Sequence, residues 1–252
     1  MMSSSPLSPT SDGTARHRVH ILVVEDEPTL QKLLRTSLER QGHTVTIAGT
    51  GADALAQVRA QPIQLVLLDI LLPDMSGFDV CREIRGFSQV PIVMLTSLNR
   101  PDDIVQGFDL GADDYITKPF RIREVQVRIE AIMRRMQWRD IYQTSDHLHA
   151  SGVSVNERTQ EVRVRGAVVH LTPIEYRLLR YLMERANRPI SKEELFEQVW
   201  GYDLAGGTNL VEVAVRRLRN KIEEAPSHPL LIVTVHAVGY KFVSELSGRP
   251  TG

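Results

Sequence analysis

Five polar residues stand where short apolar runs end: Glu25 and Asp26 after HILVV, Asp69 after QLVLL, Thr96 after PIVML, and Lys118 after DDYIT. Taken singly, an acid at a strand end is an ordinary solvated turn residue, and Lys118-Pro119 is a loop leading into a helix. Five such residue types at successive strand ends are what mark a site. Three carboxylates held close repel one another, and a cation is the usual means of keeping all of them ionised at neutral pH. With no His or Cys in the pattern, an all-oxygen ligand set of Glu25, Asp26 and Asp69 favours Mg²⁺ over Zn²⁺. A metal beside Asp69 would neutralise phosphate oxygens while the carboxylate attacks phosphorus, and Lys118 would clamp a further oxygen as a point charge. The chemistry that fits is phosphoryl transfer to an aspartate.

These residues converge only if their strands lie side by side. From residue 19 the sequence alternates apolar runs with amphipathic segments: VHILVVE, PTLQKLLRTSLERQG, TVTIA, GADALAQVRAQ, QLVLLDI, GFDVCREIRG, PIVMLTS, PDDIVQGFDLG, DDYIT and REVQVRIEAIMRRM. This pattern predicts five strands and five helices by about residue 136. Strands that are continuously apolar, such as 21–24 and 65–68, are expected where helices cover both faces of a parallel sheet. The first domain is therefore a doubly wound α/β fold, a (βα)5 domain, which binds ligands beyond the carboxyl ends of its strands.

The grammar then changes. Residues 137–147 keep no clear period and are expected to link two domains. Beyond them come short alternating strands, helical segments at about 173–186, 192–199 and 208–224, and a final strand pair around IVTVHAVGYKFV. Helices followed by a hairpin predict a winged helix-turn-helix. On the third of these helices Val211, Val215, Leu218 and Ile222 have core-seeking spacing. Arg216 with Arg219, and Arg217 with Lys221, form adjoining basic stripes. Such a face could meet phosphates and base edges in a major groove, or it could be a solvated helix face, and the charge pattern does not choose between them.

The whole-chain balance is uninformative, because a net charge of −1 hides a contrast between the halves. Residues 1–147 carry 16 basic and 19 acidic side chains, whereas residues 148–252 carry 14 and 12. Hydrophobic content of 42% with 24% charged residues is that of a globular protein with enough apolar mass for two cores. No apolar run approaches the roughly 20 residues of a membrane-spanning helix. The first 17 residues lack the apolar stretch of a secretory signal and are expected to form a disordered tail, so the expected location is cytoplasmic. The one cysteine, Cys81, has no internal disulfide partner and falls in helical spacing, which predicts a packing role in a reducing compartment.

On VVEDE, DILLPDMSG, LTS and GADDYITKPF, residues 19–136 resemble the receiver domain of bacterial response regulators. On LTPIEYRLLRYL, ISKEELFEQVW, TNLVEVAVRRLRNKIE and TVHAVGYKF, residues 148–246 resemble the winged-helix effector domain of the OmpR/PhoB family. The expected division is a tail at 1–17, a receiver at 18–136, a linker at 137–147, an effector at 148–246 and a tail at 247–252. The resemblance implies that Asp69 is the phosphoacceptor and that the backbone carbonyl of Leu71 is a further Mg²⁺ ligand. It implies that Thr96 and Tyr115 form a switch pair and that Lys118 binds the phosphoryl group. Glu25 stands where many receivers have Asp, a substitution the family tolerates. Side chains two positions after Asp69 and Thr96 govern water access in the family. Here they are Leu71 and Leu98, which implies slow autodephosphorylation.

The same resemblance makes the helix from about Thr208 a recognition helix, with Arg216, Arg217, Arg219 and Lys221 toward double-stranded promoter DNA. Residues 201–207 fall in a loop that in the family can touch RNA polymerase. Tyr240 and His236 fall in the wing, where His236-Ala237 replaces the usual Arg-Gly. Because histidine is only partly charged at neutral pH, the wing's grip is expected to be weaker and pH-sensitive. Phosphorylation by a histidine kinase is implied to promote a homodimer through Asp113, Asp114, Glu124 and Arg128, with Asp114–Arg128 the principal pair between copies. Ile104 replaces a basic partner for Glu124, which removes one bridge. The expected function is a phosphorylation-activated transcriptional regulator that is not an enzyme beyond Mg²⁺-dependent self-phosphorylation from a phosphodonor and slow loss of the phosphoryl group. Two other readings are open. One is an adaptor whose basic helix meets protein. The other is a phosphatase of the haloacid dehalogenase type, against which stands Leu71 in the position of that family's second aspartate.

Overall fold

In the computed structural model, residues 18–97, 110–137, 147–202 and 208–245 are described below. The first domain comprises β1 (His20–Val24), α1 (Pro28–Arg40), β2 (Thr44–Ala48), α2 (Gly51–Ala60), β3 (Leu65–Asp69), α3 (Gly77–Arg85), β4 (Ile92–Thr96), β5 (Asp114–Thr117) and α4 (Ile122–Gln137). All five strands are parallel, in the order β2-β1-β3-β4-β5. The helix expected between β4 and β5, with Leu98 and Ile104, lies outside the described residues.

The strand sequences dictate the layering. Alternate side chains point to opposite faces. Leu22, Val24, Val66 and Leu68 accordingly pack beneath α2 and α3 with Ala54, Val80, Cys81 and Ile84. Ile21, Val23, Leu65 and Leu67 pack beneath α1 and α4 with Leu34, Leu38, Val125 and Ile129. A strand buried on both faces must be apolar throughout, which is why LVLLD carries its first polar group at the very end. Cys81 is fully buried, and burial pushes its thiol up to about 11, as the packing role requires.

The second domain begins earlier than expected, because β6 (His147–Ala150) already uses the last residue assigned to the linker. It joins β7 (Val153–Asn156), β8 (Glu161–Val164) and β9 (Ala167–Val169) in an antiparallel meander. Helices α5 (Pro173–Glu184), α6 (Lys192–Trp200) and α7 (Thr208–Ile222) follow, and the short β10 (Ile190–Ser191) pairs with the hairpin β11 (Ile232–Val235) and β12 (Gly239–Phe242). One core, including Leu178, Leu182, Phe196, Trp200, Val211, Val215, Leu218 and Phe242, unites the three helices with both sheets.

Candidate functional site

Order in the sheet reverses between β1 and β3, and the pocket opens there. Glu25 follows β1, Asp69 ends β3, Thr96 ends β4 and Lys118 follows β5. Lys118 Nζ donates to Glu25 Oε2 at 2.7 Å and to Asp69 Oδ2 at 2.6 Å. Asp69 Oδ1 accepts the Leu71 amide at 3.2 Å, and the Glu27 amide donates to Glu25 Oε1 at 3.3 Å. Asp69, Glu25 and Thr96 are buried, whereas Asp26 is exposed at the rim. The pocket is tight on the α3 side, since a Cβ at Gly77 would lie 2.1 Å from the Asp69 carbonyl oxygen. Only glycine lets the start of α3 approach the end of β3 so closely.

The electrostatics follow from three acids facing one base. Burial, then repulsion from Asp69, pushes the Glu25 carboxyl up, and the Lys118 hydrogen bond offsets only part of this. Burial alone would lower the Lys118 ammonium, but its hydrogen bonds to Asp69 and Glu25, and their charges, hold it above its ordinary value. Single oxygens of Glu25, Asp26 and Asp69 all lie within 4.8 Å of one another. One ammonium against three carboxylates leaves a negative deficit, so this donor set fits a hard divalent cation.

On α7 the structure divides the basic residues differently from the expected stripes. Arg216 is exposed. Arg217 is not: it is 8% exposed, its Nη2 lies 2.8 Å from Glu175 Oε1, and its Nη1 donates to the Ala112 carbonyl at 3.2 Å. Lys221 donates to Glu175 Oε2 at 2.6 Å and to the His170 carbonyl at 3.0 Å. Arg217 and Lys221 thus converge on a buried acid at the base of α5, with Arg217 turned inward and Lys221 still open to solvent. Arg219 donates to the Ile232 carbonyl and to Thr234 Oγ1, bracing the helix against the hairpin. Tyr240 is buried on β12 of that hairpin. His236 is exposed in the turn between β11 and β12.

The surface expected to join two phosphorylated copies makes contacts within the chain. Asp113, Asp114 and Arg128 are 2%, 0% and 3% exposed, because the effector domain covers them. Arg128 Nη1 meets Asp114 Oδ1 at 2.8 Å within the chain, and Glu124, the more exposed partner, accepts from Arg128 Nη2 at 3.1 Å. The Tyr202 hydroxyl donates to Asp114 at 2.8 Å and accepts from Arg128 at 2.5 Å, while the guanidinium lies 4.5 Å from the Tyr202 ring centre. Asp113 Oδ1 accepts the Ile174 amide at 3.4 Å, and its Oδ2 binds Arg85 and the Ile92 amide. Tyr115, the expected switch aromatic, is half-buried and packs against both the receiver core and the effector core.

Sequence reasoning missed Tyr202 and Ile174, which carry no signal of a partner in the other domain. Glu175 was missed as well, although Thr172-x-x-Glu175 has the spacing of a capping box, and both of its reciprocal bonds are present.

Fold and pocket together define a receiver-type α/β domain joined to a winged-helix DNA-binding domain. The receiver domain model for response regulators matches residues 21–130, and the model for the C-terminal domain of transcriptional regulatory proteins matches residues 166–242. The chain is 41% identical over 222 residues to the sensory transduction protein RegX3 of Mycolicibacterium smegmatis, covering 88% of this chain and 97% of that one. It is also 41% identical over 224 residues to the DNA-binding response regulator MtrA of the same species, covering 89% and 96%. Among solved structures, a RitR mutant is similar with a TM-score of 0.74 at 28% identity, over 90% of this chain and all of that one. The chain belongs to the OmpR/PhoB family of two-component response regulators and is a DNA-binding transcriptional regulator of that kind. Among the described residues no helix is long and apolar enough to cross a membrane.

Proposed function

We propose that Asp69 accepts a phosphoryl group from the phosphohistidine of a cognate histidine kinase, and that the resulting acyl phosphate drives dimerisation and promoter binding in the cytoplasm. The observation that carries this reading is the buried Glu25–Lys118–Asp69 chain of hydrogen bonds at the switch point of the sheet. One Asp69 oxygen bonds to phosphorus as the bond from phosphorus to the histidine nitrogen breaks, and the imidazole leaves with that electron pair. Lys118 already touches the nucleophile, so its ammonium is placed to follow the charge onto the phosphoryl oxygens. Glu25, Asp26, Asp69 and the Leu71 carbonyl would hold Mg²⁺, which when bound supplies charge neutralisation between the carboxylates and the incoming phosphoryl group. Thr96 and Tyr115 would relay the change.

DNA would be met by Arg216 and Arg219 on α7 and by His236 in the wing, while Arg217 and Lys221 brace the helix from behind. The loop from Gly201 would be available to RNA polymerase. Asp113, Asp114, Glu124 and Arg128 would join two phosphorylated copies. No catalytic turnover of an external substrate is part of this reading.

The test is treatment with acetyl phosphate and Mg²⁺, followed by intact mass and a genome-wide DNA pull-down, with Asp69→Ala as control. A single added phosphoryl group, absent in the variant, together with recovery of discrete promoters is expected. Labelling of Asp69→Ala to the same extent would overturn the assignment. A salt-dependent shift of duplex DNA separates a DNA reader from a protein adaptor, because counterion release predicts a steep loss of affinity with salt.

Leu71 is 57% exposed beside the nucleophile and offers attacking water no hydrogen bond. Leu71→Asn is therefore expected to speed decay of the phosphorylated protein by roughly tenfold, less than a full general base supplies. Loss of the label over time gives the rate, and an unchanged half-life would sink the idea.

A further inference from the structure

We infer that Asp74 is a positioning residue for the phosphoryl site: it staples the loop between β3 and α3 to the start of α2 and so holds the Leu71 backbone in place for Asp69 and the cation. The inference rests on the reading above that Glu25, Asp26, Asp69 and the Leu71 carbonyl bind Mg²⁺. It adds a residue outside that donor set, acting on it through the backbone.

Residues 71–76 leave the carboxyl edge of the sheet and return to it, and backbone bonds close the base of this excursion. Leu71 pairs with Ser76 in an isolated antiparallel bridge, and the Gly77 amide donates to the Ile70 carbonyl at 2.8 Å. The tip is held from outside. Asp74 Oδ1 accepts the Gly51 amide at 2.8 Å, and Asp74 Oδ2 accepts the Ala52 amide at 2.9 Å. Both amides belong to the first turn of α2, where a donor has no partner inside the helix. The next one, that of Asp53, goes to Thr50 Oγ1 at 3.2 Å, so the cap of α2 is divided between its own N-terminal residue and the loop. A carboxylate also suits the positive end of the helix dipole. The Ala52 amide and then the Gly51 amide hold the Asp74 carboxyl below its ordinary value, so it is charged at neutral pH. Met75 completes the contact. A Cβ on Gly51 would lie 2.5 Å from Met75 Cγ and 2.7 Å from Val80 Cγ2, so glycine here makes room for the methionine. Leu72 and Met75 then pack against the core beneath α2 and α3.

Two tasks of Leu71 depend on where this loop lies. Its amide donates to Asp69 Oδ1 at 3.2 Å while Asp69 Oδ2 takes Lys118, so loop and lysine together fix the rotation of the carboxylate. Its carbonyl is the donor assigned to Mg²⁺ above. The carboxylates of Glu25 and Asp26 can turn about their own side-chain bonds, but a backbone carbonyl is aimed only by the chain that carries it. Mg²⁺ demands near-ideal octahedral geometry, so a donor held loosely weakens its binding.

Thr50 supplies the control, because its side chain caps the same helix from within. In the full-length protein, Asp74→Ala is expected to raise the Mg²⁺ dissociation constant about tenfold in calorimetric titration with MgCl₂, as a fall of the correctly placed loop to about a tenth of the population would. The half-saturating Mg²⁺ concentration for labelling of Asp69 by acetyl phosphate is expected to rise in parallel, with the rate at saturating Mg²⁺ close to that of wild type. Asp74→Asn removes the whole charge but keeps one acceptor, and its Mg²⁺ affinity is expected to fall between the two. Thr50→Ala is expected to lower the melting temperature and leave both Mg²⁺ readouts unchanged. Wild-type Mg²⁺ affinity in Asp74→Ala, whatever its stability, would overturn the inference. Equal weakening by Asp74→Asn and Asp74→Ala would assign the effect to charge alone and overturn it too, as would equal weakening by Thr50→Ala, which would assign it to capping of α2. Absence of Mg²⁺ binding by the wild type would overturn the metal site proposed above, and the inference with it.

Discussion

Glu175→Ala is expected to destabilise the effector domain by about 3 kcal/mol or more, a large share of the roughly 5 kcal/mol at the low end of domain stabilities. The carboxylate is fully buried and performs three tasks. It closes the capping box at the start of α5 by accepting the Thr172 amide at 2.8 Å, it faces Arg217 at 2.8 Å, and it accepts from Lys221 at 2.6 Å. Removing it affects the two bases unequally. Lys221, about a third exposed, can turn to water, whereas Arg217, 8% exposed, keeps its charge in a place that no longer has a counterion among the described residues of the domain. Breaking a buried ion pair costs more than making it gains, for this reason. Glu175→Gln retains the shape and the capping acceptor, so its loss should be smaller. Urea unfolding followed through Trp200, which is buried in the same core, gives both values. Equal stability of Glu175→Ala and wild type would show that α7 is not anchored through this acid.

Lys118→Ala is expected to slow phosphorylation of Asp69 by on the order of 10²- to 10³-fold, the range seen when one preorganised charge-stabilising donor is removed. Lys118 supplies the positive charge in hydrogen-bonding contact with both Glu25 and Asp69. Without it the two buried carboxylates face one another unshielded, so the resting receiver should also lose thermal stability, and added Mg²⁺ should restore more of it than in wild type. Labelling kinetics with acetyl phosphate and melting curves at several Mg²⁺ concentrations measure the two effects separately. A variant labelled at the wild-type rate would remove Lys118 from the phosphoryl site.

The receiver pocket was legible because a parallel sheet converts sequence order into position. An apolar run ends, the next residue lies at the carboxyl edge, and the edge where strand order reverses is a cleft. Glu25, Asp69, Thr96 and Lys118 needed no knowledge of side-chain contacts to be grouped. The basic helix was less legible. Its period correctly assigned Val211, Val215, Leu218 and Ile222 to the core, but charge and spacing alone treat Arg217 as they treat Arg216. Which arginine turns inward depends on Glu175, which is distant in sequence and brought beside α7 only by packing.

What the sequence determined by itself was the grouping of Glu25, Asp69, Thr96 and Lys118 at one sheet edge and the two-domain plan, because both are written in local period and strand-end residue types. What only the tertiary structure decided was the use made of Asp113, Asp114 and Arg128. Their charges and spacing suit a bridge to a second copy equally well, and local pattern has no term for an opposing surface from the same chain. Tyr202 and Ile174 occupy that surface because the Gly201 turn and the first turn of α5 present to it a hydroxyl and an amide that has no partner within its own helix. The physical reason is that pairing of a buried charge is settled by whichever donor reaches it, and reach is a property of the folded chain.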